Sequence, residues 1–263
     1  MISTPYGPVE THLEGEGSPV LFIHGTGMNA VSNWSGLVKQ LKSSTDWRCI
    51  RPNLPGSGHS LQLQEPLTLP VLESQMLSVL DELGIEKAHV IGFSLGACIA
   101  LYLAGSCPHR FISVTSIGGF IDTQAPRMQA LLQLWSQAAT SQPPLAAPLL
   151  TLTSFSHSFL LGLDQDELRI LTHSIEKAID WKTFLYHLQL ASSINIESSL
   201  NGITQPTLLI TGKEDQLIPY ELANQLYHRI PQSKLVEVNA GHASMLEKPA
   251  ELANLLVNFI KSK

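Results

Sequence analysis

The chain has 263 residues, a formal net charge of −6 and only 16 Lys plus Arg spread along its length. That length suits one α/β domain with an insertion, and the charge leaves no basic stripe to capture a phosphate backbone, so no nucleic acid partner is expected. The amino-terminal residues carry neither a basic nor an apolar leader, and no apolar run approaches the ~18 residues that span a bilayer, so a cytoplasmic protein without a membrane span is expected. Cys49, Cys98 and Cys107 make no complete disulfide framework and lack metal-ligand spacing, so they are read as reduced core residues, and neither metal nor cofactor is expected.

In chain order, runs dense in β-branched and apolar residues predict strands over 9–13, 20–24, 48–51, 88–92 and 111–117, and again over 207–212 and 235–238. Apolar positions recurring near the 3.6 period predict helices over 31–41, 71–83, 95–106, 220–229 and 249–260. Alternating β and α units imply a mostly parallel central sheet flanked by helices, with right-handed crossovers.

The alternation stops after 117 and resumes at 207. The expected organisation is a core of residues 1–121 and 203–263 and a helical cap, or lid, of residues 122–202. Within the cap, 129–163 contains no Asp, Glu, Lys or Arg, so its apolar surface must lie over a pocket or against a partner. Pro143-Pro144 and Pro148 are expected to break this stretch. Asp164 with Glu167 reads as a capping box and Asp180 as a helix start, giving about four short helices.

Three motifs carry chemistry. Gly92-Phe93-Ser94-Leu95-Gly96 joins the strand ending near 92 to the helix beginning at Leu95, the setting of a nucleophile elbow, in which small neighbours let strand and helix approach while the serine Oγ stands clear. A helix N-cap is the competing reading of Ser94 alone. Asp215 follows the strand at 207–212, and His242, in Asn239-Ala240-Gly241-His242, follows the strand at 235–238. Ser94, Asp215 and His242 thus run in the order nucleophile, acid, base, each past the carboxyl end of a strand, where an open α/β sheet gathers its reactive groups.

With His24-Gly25-Thr26-Gly27 and Asn53-Leu54-Pro55-Gly56-Ser57-Gly58-His59-Ser60 added, the chain resembles serine hydrolases of the α/β-hydrolase family over nearly its whole length. Asn53 stands where that family's loop more often has Asp, and Ala97 where a second glycine is common; neither touches the triad. A serine nucleophile disfavours the related haloalkane-dehalogenase and epoxide-hydrolase branches, which use Asp. The resemblance implies an α/β-hydrolase fold with a helical cap inserted after the sixth strand, and oxyanion-hole donors at the backbone N–H of Thr26 and Leu95.

In the implied chemistry His242 takes the Ser94 proton and Asp215 orients the imidazole. Asp122, after the preceding strand, is an alternative acid. Phe93, Met28 and Met245 flank these positions, and Trp135, Phe155 and Phe159 lie in the charge-free part of the cap, so all six are candidates to bind substrate, with plain core packing as the competing reading. His24 and His59 are read as structural, His89 as a strand residue, His157 and His187 as lid histidines, and Cys98 as a small buried hydrophobe.

The expected activity is hydrolysis of a carboxylic ester with a small to medium, largely apolar acyl or aromatic group, through an acyl-enzyme, as in small bacterial carboxylesterases including the pimeloyl-carrier-protein methyl ester esterase-like group. The alternatives are a carbon–carbon bond hydrolase, lactonase or thioesterase of the same fold, or a hydrolase-fold small-molecule receptor. An acidic acyl-carrier partner would require a basic docking patch, for which Arg169, Lys177 and Lys182 are the candidates, as Arg127 is for a substrate carboxylate.

Overall fold

The structure is a computed structural model that describes residues 1–262. β1 (Thr11–Glu14) and β2 (Pro19–Ile23) lead to α1 (Ala30–Lys42) and β3 (Arg48–Pro52), followed by α2 (Leu69–Glu82), β4 (Ala88–Phe93), α3 (Leu95–Ser106) and β5 (Phe111–Ile117). Five helices come next: α4 (Pro126–Ser141), α5 (Pro143–Ser154), α6 (His157–Leu161), α7 (Gln165–Ala178) and α8 (Trp181–Ser193). The chain then returns through α9 (Glu197–Leu200), β6 (Thr207–Gly212), α10 (Tyr220–Arg229), β7 (Ser233–Val238), α11 (Ser244–Glu247) and α12 (Pro249–Lys261).

The strands form one seven-stranded sheet in the order β1-β3-β2-β4-β5-β6-β7. It is parallel except at β1, which runs antiparallel to β3. Along β2, Leu21 and Ile23 enter one buried cluster with Val90 and Leu95, while Val20 and Phe22 enter the other with Trp34 and Ile91. Strands apolar on both sides are what a parallel sheet covered on both faces requires. From β2 the chain turns first to β3 on one side and later to β4 on the other, so the carboxyl ends of β2 and β4 flank the switch point where such sheets open a crevice.

The α/β fold is as expected, with differences at its edges. β7 starts at Ser233 rather than 235, because Ser233 and Lys234 join the sheet through backbone pairing with Thr207 and Leu208, which their side chains do not signal. The cap follows the fifth strand of this chain, not a sixth, since β1 to β5 precede α4 and β6 begins only at Thr207. The segment 122–202 holds six helices, α4 to α9, rather than about four. Ser156 starts the short α6 by accepting the Phe159 N–H, whereas Pro148 lies inside α5 without ending it. A proline there removes one backbone bond, and burial of Ala146, Ala147, Leu150 and Thr151 holds the helix through it. The expected caps at Asp164, with its box to Glu167, and at Asp180 are both formed.

The neck of the cap is a bridge between Asp122 and Asn195. α9, inside the segment 122–202, packs back on α3: a Cβ on Gly105 would lie 2.0 Å from the Ser199 carbonyl oxygen. Among the described residues no helix is long and apolar enough to cross a membrane.

Candidate active site

Ser94 is the single residue between β4 and α3. It has φ 54° and ψ −117°, and among the described residues it is the only non-glycine with positive φ, a conformation that costs about 1–3 kcal/mol and persists only where its surroundings impose it. Those surroundings are two glycines. A Cβ on Gly92 would lie 2.0 Å from the Gly96 carbonyl oxygen, and one on Gly96 would lie 2.1 Å from that of Ile23. The Ser94 side chain makes no capping hydrogen bond to α3, so its hydroxyl is not engaged as an N-cap.

His242 Nδ1 lies 2.8 Å from Asp215 Oδ2, with both side chains buried. The other oxygen, Oδ1, accepts the N–H groups of Leu217 at 2.9 Å and Ile218 at 2.7 Å, so the loop after β6 fixes the carboxylate before it meets the imidazole. Because Nδ1–H donates to Asp215, the lone pair of the neutral ring is on Nε2. That atom is buried and has no hydrogen-bond partner among the described residues, Ser94 Oγ included; catalytic hydrogen bonds of this kind are often long or misaligned until substrate binds. Phe93 packs against the imidazole at 4.9 Å between ring centroids. Behind it stands Gly118, at φ 61°, where a Cβ would come within 2.9 Å of His242 Cε1. Gly118 was not singled out in the sequence, although the pair Gly118-Gly119 after β5 is the signal that could have found it.

Asp122 is placed elsewhere. Its Oδ1 accepts the Gln124 N–H at 2.8 Å, at the neck of the cap, and it has no contact with His242 among the described hydrogen bonds.

The loop after β2 is held from both sides. Gly25 N–H donates to Asn33 Oδ1 at 2.8 Å, and Gly27 N–H donates to His187 Nδ1 at 3.2 Å. The Thr26 N–H between them and the Leu95 N–H beside Ser94 have no acceptor among the described residues, leaving two backbone donors free next to the serine. His24 is fully buried, donating from Nδ1 to the Gly25 carbonyl at 2.9 Å and accepting the Leu54 N–H on Nε2 at 2.9 Å. Burial, with His187 nearby, pulls its pKa down to about 3. His24 is thus structural, as expected, and His59 pairs with Glu10.

Thr26, Ser94 and His242 open on one cavity of about 110 Å³. Four of the six expected substrate-binding residues line it: Met28, Phe93, Trp135 and Phe155. Phe159 does not; it stacks on Phe155 at 5.3 Å between centroids and stands behind it. Nor does Met245, which is buried in the core cluster with Trp34 and meets the Asn33 carboxamide. Position beside His242 in the sequence did not bring Met245 to the cavity, because α11 packs against α1 and α12 and turns it into their shared cluster. Phe184, Ile179, Leu217 and Leu246 also line the space and were not anticipated; all four are apolar side chains on helices or loops whose facing only the packing decides.

Among the described residues that line the cavity there is no Lys, Arg, Asp or Glu. Arg127 is exposed, with its guanidinium on the Gln216 carbonyl, and Arg169 pairs with Asp166 on the outer face of α7. Glu214 accepts the Ser158 N–H at 2.9 Å, joining the Asp215 loop to α6. Cys98 is buried beneath the elbow, its Sγ 3.2 Å from the Phe120 carbonyl, and burial pushes the thiol up to about 12. It is therefore no second nucleophile.

The fold that carries this strained serine, histidine–aspartate pair and pair of free amides has counterparts among known proteins. The family model of the alpha/beta hydrolase fold matches residues 18–249. The chain belongs to that family. It is 26% identical over 251 residues to the pyrrolizixenacetamide deacetylase of Xenorhabdus hominickii, covering 95% of this chain and 94% of that protein. It is 27% identical over 260 residues to a pimeloyl-[acyl-carrier protein] methyl ester esterase of Aeromonas hydrophila subsp. hydrophila, covering 94% and 96%. A solved structure of the same fold, the α/β-hydrolase enzyme MGS-M2 from a deep-sea metagenome library, superposes with a TM-score of 0.87 at 24% identity, covering 96% of this chain and 94% of that one. The protein is a hydrolase of the α/β fold.

Proposed function

We propose that the protein hydrolyses carboxylic esters of small, apolar acyl groups through an acyl-enzyme on Ser94. The observation that supports this best is the convergence of the strained Ser94, the Asp215-bound His242 and the unengaged Thr26 amide on one uncharged cavity. Ser94 Oγ attacks the carbonyl carbon while its proton passes to His242 Nε2. The Thr26 and Leu95 N–H groups receive the oxyanion, and Asp215 stabilises the imidazolium without itself taking the proton. Collapse expels the alcohol, protonated from Nε2. A water then attacks the acyl-enzyme, gives its proton to Nε2 and releases the acid.

Size and charge define the substrate class. A cavity of about 110 Å³ suits an acyl group of a few carbons, being smaller than the ~150 Å³ apolar void that holds a benzene ring. An acyl chain ending in a carboxylate would call for Arg or Lys on the wall, where there is none among the described lining residues. A relative whose name is a deacetylase accords with a small acyl group.

The test is covalent labelling. A fluorophosphonate should modify Ser94, mapped by mass spectrometry, and Ser94→Ala should keep the fold while lowering kcat by up to about 10⁶-fold. Labelling at another residue with Ser94 untouched would overturn the assignment.

A further inference from the structure

α8 belongs to the cap, yet its first two turns hold the core. Thr183 and His187 are four apart and so share one helix face. Thr183 Oγ1 donates to the Gly56 carbonyl at 2.7 Å, and His187 Nε2 donates to the Pro55 carbonyl at 2.8 Å. His187 Nδ1 accepts the Gly27 N–H at 3.2 Å. The ring is fully buried. With a carbonyl on one nitrogen and an amide N–H on the other, only the neutral Nε2–H tautomer satisfies both partners, and burial, which draws the ring's pKa down to about 4, favours that form.

The Gly27 amide is the one that matters for chemistry. It belongs to the Thr26–Gly27 peptide, adjoining the peptide that carries the Thr26 N–H. Gly27 sits at φ 68° with no room for a side chain, since a Cβ would lie 2.6 Å from Phe184 Cδ2, the residue after Thr183 on the same helix. On the other side the Gly25 amide is fixed by Asn33, a core residue on α1. The loop is therefore clamped by one side chain from the core and one from the cap, and the unengaged Thr26 amide lies between the clamps.

We propose that His187 is a positioning residue for the oxyanion site: a cap-borne imidazole that orients the Thr26 N–H by fixing the next peptide. This rests on the reading of Ser94 as nucleophile and Thr26 as oxyanion donor. Its consequence is that the hydrolase is competent only with α8 seated, so the cap contributes to the chemical step as well as to the walls of the pocket.

Two substitutions separate this role from simple docking of the cap. In His187→Asn the carboxamide oxygen reaches the place of Nδ1 and can accept from Gly27, but the Pro55 bond is lost; in His187→Gln the side-chain amide reaches the place of Nε2 and can donate to Pro55, but the Gly27 acceptor is lost. With the full chain and a 4-nitrophenyl acetate assay, His187→Gln should lower kcat by about 10- to 100-fold with KM within about two-fold, since sub-ångström displacement of a donor has effects of this size. His187→Asn should recover most of kcat. Affinity for a small alkyl boronic acid, which forms a tetrahedral adduct on a serine, should fall in His187→Gln by the same factor as kcat/KM.

The proposal is overturned if the two variants lose kcat equally, if Gln is the better substitute, or if boronate affinity is unchanged where kcat falls. Ser94→Ala in the same assay keeps the two readings apart: activity surviving that change sinks the nucleophile assignment, whereas an inactive Ser94→Ala beside a fully active His187→Gln sinks only the role of His187.

Discussion

In the core, the groups of the candidate catalytic set stand on loops immediately after strands: Thr26 after β2, Ser94 after β4, Asp215 after β6 and His242 after β7. In the cap, the facing groups are helix side chains such as Trp135, Phe155 and Phe184, chosen by which way each helix rolls. The first arrangement is fixed by backbone: a positive φ at Ser94, two amides on the Asp215 carboxylate, a glycine behind His242. The second is fixed by mutual packing of apolar faces, in a segment, 129–163, that has no charge to orient it. Chemistry is thus local and wall shape is collective, and the two should respond differently to substitution.

The sharpest break between them is expected at the acid. Asp215→Asn should lower kcat by up to about 10⁴-fold, as loss of the orienting carboxylate does in serine proteases, because the imidazole then holds the wrong tautomer. Asp122→Asn, at the neck of the cap, should change kcat by less than about two-fold. Steady-state kinetics with thermal melts on both variants decides the matter; the reverse ranking would move the role to Asp122.

That contrast also explains what was legible in the sequence. Ser94, Asp215 and His242 could be found because a residue one to four positions past a buried strand has almost no freedom in where it goes. The sheet was legible from composition: runs such as 111–117 and 207–212 are dense in β-branched and apolar residues, and the structure has them as β5 and β6 without change. Helix starts in the cap were legible where a local bond makes them, at Asp164 and Asp180. Facing was not. Phe155 and Phe159 are four apart in an uncharged stretch, and nothing in the sequence says that one lines the cavity while the other stacks behind it. His187 was hidden for a related reason, since its partners, Gly27 and Pro55, are backbone groups far away in the chain.

A second prediction pairs one histidine from each region. His24 in the core and His187 in the cap are both fully buried, and burial lowers their pKa values to about 3 and about 4. The unfolded chain takes up protons near pH 6.5, where the native protein still excludes them, so the unfolded state binds more protons and stability falls as pH falls. The contribution is complete above pH 6.5 and is lost progressively as the pH drops toward 4. Urea unfolding at pH 7.5 and pH 5.0 should therefore differ by about 2 kcal/mol for each histidine. His187→Asn should remove the cap's share of that difference and leave the core's. Equal stability of the unmodified chain at the two pH values would contradict neutral buried bridges at both sites.

The smallest effect should appear at the cavity wall, and it tests whether the cap acts through packing alone. Phe155 lines the cavity and Phe159 stacks on its outer side, so Phe155→Ala should weaken acyl binding directly. A butyryl ester presents two more methylenes than an acetyl ester, each worth about 0.8 kcal/mol when buried, which sets a ceiling near 15-fold on the butyrate preference in kcat/KM that the wall can generate. Phe155→Ala should erase most of that preference by raising KM for butyrate, with acetate little changed because acetate is too short to reach the lost ring. Phe159→Ala should retain the preference, lowering at most the melting temperature through the loss of the stacked pair. If Phe159→Ala erased it equally, the two rings would behave as one unit and the wall would be set by their stack. If neither did, the acyl group would lie against the core side of the cavity, beside Phe93 and Leu217, and the cap would shape the chemistry through His187 rather than the substrate through its aromatic residues.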